Sequence, residues 1–214
     1  QKKKKKTLIV VLTTGSAIEL EEIEKIADAV VLTWYPGEEG GNAVADILFG
    51  DKSPAGRLPV TFYRSTDDLP PFEDYSMKER TYRYFSGKTL HPFGFGLSYT
   101  GFTYSGFSVS KTKTGLSVRV NIANTGKMDG DEVIQLYIRR PGTGAGMALK
   151  ELKAFKRVSI KKGDTKIVSF ILEKNELEYW DEKKNSYMVY PGEYELMAGS
   201  SSEDIKLRYK LNIE

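Results

Sequence analysis

Leu8-Ile9-Val10-Val11-Leu12 is an unbroken apolar run that stops at Thr13-Thr14-Gly15-Ser16. Continuous rather than alternating hydrophobicity predicts a strand covered on both faces, as in a parallel sheet. Ile18 to Ala27 has helix-forming composition, with Ile23, Ile26 and Ala27 at helical spacing. Glu19, Glu21, Glu22 and Glu24 crowd its start, where the helix dipole favours anions. A second buried strand is predicted over Ala29 to Thr33, then a glycine-rich turn from Tyr35 to Gly41. Asn42 to Phe49 reads as a helix closed by Gly50, and Pro54, Gly56 and Pro59 mark an irregular exit. Residues 1–62 thus hold two β-α units. Two parallel strands with two helices do not cover both sheet faces. This piece is therefore expected to need more sheet, from chain that precedes it or from a partner chain.

Residues 63–100 lack periodicity and are rich in proline, aromatic and charged residues: Leu69-Pro70-Pro71-Phe72, Tyr82-Arg83-Tyr84-Phe85, His91-Pro92-Phe93-Gly94-Phe95-Gly96. So many aromatics argue against a disordered linker. An ordered connector lying against a larger body is expected. From residue 101 to 214 the pattern changes to short alternating segments divided by turn signals. Leu116 to Ile122 alternates and breaks at Asn124-Thr125-Gly126. Val133 to Ile138 is a strand closed by Pro141-Gly142, and Leu149 to Ile160 carries strand pattern up to Lys162-Gly163-Asp164. Lys166 to Leu172, Tyr194 to Ala198 and Ile205 to Ile213 follow. About seven short strands at this spacing predict an immunoglobulin-like or fibronectin-like β-sandwich. The expected fold is an α/β fragment with a parallel sheet, followed by an all-β sandwich.

Composition narrows the chemistry. The 214 residues are 40% hydrophobic and 29% charged, enough for a core in one or two domains. A net charge of +3 disfavours a dedicated nucleic-acid binder. The absence of cysteine removes disulfide scaffolds, thiol nucleophiles and zinc ribbons. The single histidine, His91, excludes multi-histidine metal sites and argues against a Ser-His-Asp triad. No run approaches the ~20 apolar residues of a membrane span. Gln1 to Thr7 lacks both an initiator Met and a signal peptide's apolar region, so the chain is expected to start in mid-protein. Lys2 to Lys6 reads as a solvated terminus.

Trp34-Tyr35-Pro36-Gly37-Glu38-Glu39-Gly40-Gly41-Asn42-Ala43-Val44-Ala45-Asp46-Ile47-Leu48-Phe49-Gly50-Asp51 and Ser53-Pro54-Ala55-Gly56-Arg57-Leu58-Pro59-Val60-Thr61-Phe62 resemble the late part of the α/β-sandwich domain of glycoside hydrolase family 3. Arg80-Thr81-Tyr82-Arg83-Tyr84-Phe85 and His91-Pro92-Phe93-Gly94-Phe95-Gly96-Leu97-Ser98-Tyr99-Thr100 are similar to that family's interdomain junction. Asn124-Thr125-Gly126, Asp129-Gly130-Asp131-Glu132-Val133, Gln135-Leu136-Tyr137, Lys150 to Arg157 and Pro191-Gly192-Glu193-Tyr194 resemble its fibronectin type III-like domain. The resemblance divides the chain into the end of an α/β-sandwich domain (1–62), a connector (63–100) and a fibronectin type III-like domain (101–214). Three positions depart from the pattern: His91 stands where the family usually has Tyr, Glu38 where Gln is common, and Glu79 where Gly is frequent.

The resemblance implies a retaining, exo-acting β-glycosidase that releases terminal xylose or glucose, with two catalytic carboxylates about 5–5.5 Å apart. It places the nucleophile Asp in an N-terminal barrel and the acid/base Glu upstream of the strand that starts at Leu8. No catalytic residue is therefore expected in this chain. The implied partners are the remainder of the enzyme or a partner chain, and an oligosaccharide; neither cofactor nor metal is implied. Asp74-Tyr75-Ser76-Met77 before Arg80 leans toward the β-xylosidase-like branch. The family's frequent export implies a periplasmic or secreted setting.

Four residues are candidates for a substrate cleft: Trp34, Tyr35, Glu38 and Glu39. Ligands of open α/β sheets bind at the carboxyl ends of the strands, where these four fall. Trp34 and Tyr35 offer rings for stacking on a sugar or for packing between domains. Glu38 and Glu39 either face the cleft or serve as early-helix carboxylates. Being adjacent, they are no ready acid/base pair. The glycine-rich turn lacks the lysine and spacing of a phosphate loop. Asp129, Asp131 and Glu132 miss calcium-loop spacing, and a β-turn at Gly130 accounts for them. Arg80, Tyr82, Arg83 and Tyr84 are expected to staple the connector to its neighbours, and His91 to be structural. An alternative reading makes the β-sandwich a carbohydrate-binding or structural module, on the strength of Tyr104, Phe107, Tyr179 and Trp180.

Overall fold

A computed structural model describes residues 6–140, 142 and 147–213; Lys2 to Lys5 and Pro141 lie outside them. Strands β1 (Ile9–Leu12) and β2 (Ala29–Leu32) pair in parallel, Ile9 opposite Ala29 and Leu12 opposite Leu32. Helix α1 (Glu21–Ile26) joins them and is shorter than its sequence pattern at both ends. Leu20 supplies no side-chain cap. At the other end the Asp28 N–H bonds the Leu8 carbonyl at 2.8 Å, while Asp28 Oδ2 accepts from the Leu8 N–H at 2.8 Å. That two-way tie requires extended backbone and pulls the chain out of the helix. Helix α2 (Gly40–Phe49) starts two residues before Asn42 and ends on Gly50, whose φ of 83° suits a residue without Cβ. Ile9 and Val11 remain 44% and 41% exposed. Among the described residues nothing completes this two-stranded sheet.

The aperiodic stretch is ordered by long-range contacts. Phe62 and His91 form an isolated bridge, the Phe62 N–H reaching the His91 carbonyl at 2.9 Å. Leu58 and Gly94/Phe95 are joined by two further backbone bonds of 2.8 Å. Between these pairings lie a 3₁₀ turn, Thr66–Asp68, with a Ser65/Asp68 capping box, and a four-residue helix α3 (Thr81–Tyr84). Arg80 donates to the carbonyls of Pro71 and Asp74, and the Thr81 N–H reaches the Tyr63 hydroxyl at 2.7 Å.

The rest is a β-sandwich. One sheet has strand order β11-β10-β5-β6 and the other β3-β4-β7. The strands are β3 (Phe102–Lys111), β4 (Gly115–Asn124), β5 (Gly130–Arg139), β6 (Glu151–Ile160), β7 (Thr165–Glu173), β10 (Gly192–Gly199) and β11 (Ile205–Ile213). A short hairpin of β8 (Tyr179–Asp181) and β9 (Ser186–Met188) stands outside both sheets. Alternate residues fill the core: Leu116, Val118, Val120 and Ile122 from β4; Ile134, Leu136 and Ile138 from β5; Val168, Phe170 and Leu172 from β7. Gly130 opens β5 instead of centring a turn. The three neighbouring carboxylates then diverge. Asp129 accepts from the Lys162 N–H, Asp131 pairs with Arg157, and Glu132 is buried.

Strand β5 is buried continuously from Ile134 to Ile138, unlike an ordinary outer strand. Its second face carries Gln135 and Tyr137, and the connector covers both. Gln135 donates to the Gly94 carbonyl at 3.2 Å, and Tyr137 meets Tyr82 edge-on at 5.8 Å between centroids. Tyr82 itself stacks on Phe93 at 4.4 Å, and its hydroxyl accepts the Leu152 N–H at 2.9 Å. Arg83 pairs with Glu151, which also holds Lys153 at 3.0 Å. Arg57, from the exit of the α/β piece, pairs with Glu132 at 2.7 Å. Among the described residues no helix is long and apolar enough to cross a membrane.

Candidate functional site

The four candidate residues occupy the turn between β2 and α2, at the carboxyl ends of both parallel strands. Two hydroxyls close that edge. Thr33 Oγ1 donates to the Leu12 carbonyl at 3.0 Å and lies 3.0 Å from Thr13 Oγ1. Beyond them the two aromatic side chains part. Trp34 adopts a φ of 53°, a conformation that costs a non-glycine residue about 1–2 kcal/mol. Its ring meets Phe62 edge-on, centroids 6.4 Å apart. Tyr35 turns the other way and is largely exposed. It lies over Gly15, where an added Cβ would come within 2.6 Å of the ring. Trp34 thus packs toward the connector, while Tyr35 bridges the turns that follow β1 and β2.

Glu38 and Glu39 are both exposed. Glu39 caps α2 by position, and its Oε2 accepts from Asn42 Nδ2 at 2.6 Å. The turn therefore presents one open aromatic face, Tyr35, with an exposed carboxylate at Glu38 and hydroxyls at Thr13 and Thr14. Rings and acceptors of this kind suit sugar faces and hydroxyls. Two carboxylates on one turn do not flank a bond from opposite sides, as a glycosidase pair must. Among the described residues no cluster of three or more His, Asp or Glu side chains could hold a metal ion.

Two further groups tie the connector to the segment after β1 without a sequence signal. Glu19 Oε1 accepts the Thr66 N–H at 2.7 Å, tying the 3₁₀ turn of the connector to the loop after β1. His91 Nε2 lies 2.5 Å from Glu24 Oε1 on α1, and its ring stacks on Phe95 at 4.5 Å. Their partners stand 47 and 67 positions away, beyond any local pattern.

The other candidates sort by burial. Arg80 is spent on loop carbonyls, and Tyr82 and Arg83 on the sandwich, as described above. Burial pushes the Tyr82 hydroxyl above its ordinary range. Tyr104 is raised further, by burial and by the Glu132 carboxylate that accepts its hydrogen at 2.6 Å. Phe107 and Tyr179 pack against the core. Trp180 is half exposed and meets Tyr187, a residue the sequence had not marked.

Residues 1–99 match the glycosyl hydrolase family 3 C-terminal domain, and residues 132–202 match the fibronectin type III-like domain. The chain is 48% identical over 210 residues to a xylan 1,4-beta-xylosidase of Xylanibacter ruminicola, covering 97% of this chain and 24% of that protein. It is 36% identical to a periplasmic beta-glucosidase of Salmonella typhimurium, covering 94% and 28%. Its fold superposes on the crystal structure of a beta-D-glucoside glucohydrolase from Trichoderma reesei with a TM-score of 0.89 at 30% identity, over 97% of this chain and 34% of that one. The chain spans about a quarter of the length of these curated relatives.

Proposed function

The chain belongs to glycoside hydrolase family 3, and from that premise we propose that it is the C-terminal scaffold of a retaining, exo-acting β-glycosidase that releases terminal β-linked xylose in preference to glucose. Three parts serve this role: residues 1–62 complete an α/β-sandwich, residues 63–100 form the junction, and residues 101–214 form the docked fibronectin-like domain. The catalytic carboxylates come from the rest of the enzyme. Trp34, Tyr35, Glu38 and Glu39 contribute at most a rim to its cleft. The observation that carries the xylose preference is the 48% identity to a xylan xylosidase against 36% for a periplasmic glucosidase. The half-exposed β1-β2 sheet supports the scaffold role, because apolar strands of this kind are stable when both faces are covered. By the same relationship the enzyme works outside the cytoplasm.

The test compares kcat/KM of the intact enzyme on nitrophenyl β-xyloside and nitrophenyl β-glucoside. At least tenfold in favour of the xyloside is expected; a glucoside preference overturns the sugar assignment. The 214-residue chain alone is expected to hydrolyse neither. Turnover by a pure sample of it would show that a catalytic pair lies within these 214 residues.

A further inference from the structure

On the β8-β9 hairpin, Trp180 and Tyr187 are register partners, their ring centroids 5.2 Å apart at 69°. They are 49% and 67% exposed and point away from the sandwich core. Tyr179, one residue earlier, points inward and lies under the Arg140 guanidinium, 4.0 Å from the ring centroid. Other groups fix the hairpin. Asp181 Oδ1 accepts the N–H groups of Lys183 and Lys184 at 2.9 and 3.1 Å, and its Oδ2 accepts the Tyr190 hydroxyl at 2.7 Å. Asn185 makes the turn with a φ of 50°. The outward rings are thus held in place without supporting the core, a pre-organised apolar face open to solvent.

Tyr187 also walls a cavity of about 590 Å³ at the end of the sandwich, between the β3-β4 turn and the 3₁₀ turn Lys174–Leu177. Lys111, Lys113 and Lys174 line it, and Glu178 is the one carboxylate among the described lining residues. Among the described residues none of these three lysines has an ion-pair partner; the four lysines that do are Lys25, Lys153, Lys206 and Lys210. An exposed ring recognises the apolar face of a pyranose, an unpaired ammonium recognises a carboxylate, and Glu178 accepts from hydroxyls. A phosphate backbone calls for a longer cationic track, which three lysines beside a glutamate do not supply. We propose that the Trp180–Tyr187 face and the adjoining lysine-lined cavity form a secondary binding site for a β-linked polysaccharide carrying uronic acid side groups. The choice of a glycan over other polyanions rests on the glycosidase reading; the geometry of the site does not.

Calorimetric titration of the intact protein tests it. The probes are glucuronoxylan oligosaccharides, unsubstituted xylo-oligosaccharides, and polyphosphate as a sugar-free polyanion. Glucuronoxylan fragments are expected to bind at least tenfold tighter than unsubstituted ones at low salt, and to lose that margin at 0.5 M salt as screening removes the charge contribution. The double variant W180A/Y187A is expected to lose at least tenfold for both xylans with its urea midpoint unchanged. K113Q/K174Q should abolish only the preference for the acidic chain. Undiminished binding by W180A/Y187A, equal binding of polyphosphate, or no binding of either xylan would each overturn the site. Hydrolysis of nitrophenyl β-xyloside is followed in parallel and should be the same in all variants. Failure of the hydrolase reading appears in that assay, and failure of the site appears in the titration.

Discussion

Glu132 is a carboxylate with only 3% of its side chain exposed, and it is tolerated because both oxygens are used. One meets Arg57 Nη2 at 2.7 Å and the other the Tyr104 hydroxyl at 2.6 Å. Glu132→Ala would leave Arg57 charged and almost buried without its partner. Loss of about 3–5 kcal/mol in urea unfolding is expected. Tyr104→Phe removes one charge-assisted hydrogen bond and should cost about 1.5–3 kcal/mol. Glu151 makes a different prediction. Burial alone would raise its pKa, but Lys153 and Arg83 outweigh that and hold it below the ordinary value of 4.5. In acid the unfolded chain then binds more protons than the folded one. The stabilisation is complete above pH 4.5 and is lost as pH falls through the lower folded value. Denaturation curves between pH 5 and 3 should fall less steeply for Glu151→Gln than for the parent.

At the scale of elements, two glycines separate conformational cost from steric cost. Gly50 closes α2 with a φ of 83°, and an added Cβ there would touch nothing within 4 Å. Gly50→Ala should cost about 1–2 kcal/mol, the left-handed penalty alone. Gly94 has a φ of 84°, but its Cβ would fall 2.1 Å from Gln135 Oε1. Gly94→Ala must also break the Gln135 bond to the connector, so its loss in thermal unfolding should exceed that of Gly50→Ala. The helix stop at Gly50 was legible in the sequence because a C-terminal glycine is a local signal. That the connector is ordered was legible too, from its aromatic content, but its partners were not. Its order comes from Tyr82 on Phe93, Arg83 on Glu151 and Gln135 on Gly94, and no local pattern records partners so far apart. The candidate turn shows the same limit. Its place at the strand ends could be read from the glycines, but the opposite directions of Trp34 and Tyr35 depend on Phe62 and Gly15.

At the scale of the molecule, the connector acts as a lid on the sandwich. It covers the outer face of β5, where Gln135 and Tyr137 are buried. A fragment of residues 101–213 would bare that face. It is expected to bind a hydrophobic dye and to unfold at lower urea than residues 63–213. Equal stability of the two fragments would show that the connector rests on the sandwich without contributing to it. The exposed apolar residues of β1 lie at the other end of the same division, where the described chain offers no cover.

The sequence by itself determined the class of each part. Continuous apolar runs gave parallel strands, and alternating ones gave the sandwich, because side-chain periodicity is a property of each strand alone. It also excluded cysteine and multi-histidine chemistry, which composition settles without a fold. Only the tertiary structure decided which carboxylates are buried, which aromatics are spent on packing, and why β5 is covered on both faces. Each of those outcomes depends on a partner from another element. The Glu132 carboxylate is held by Arg57, which lies 75 positions away, with the whole connector between them in sequence.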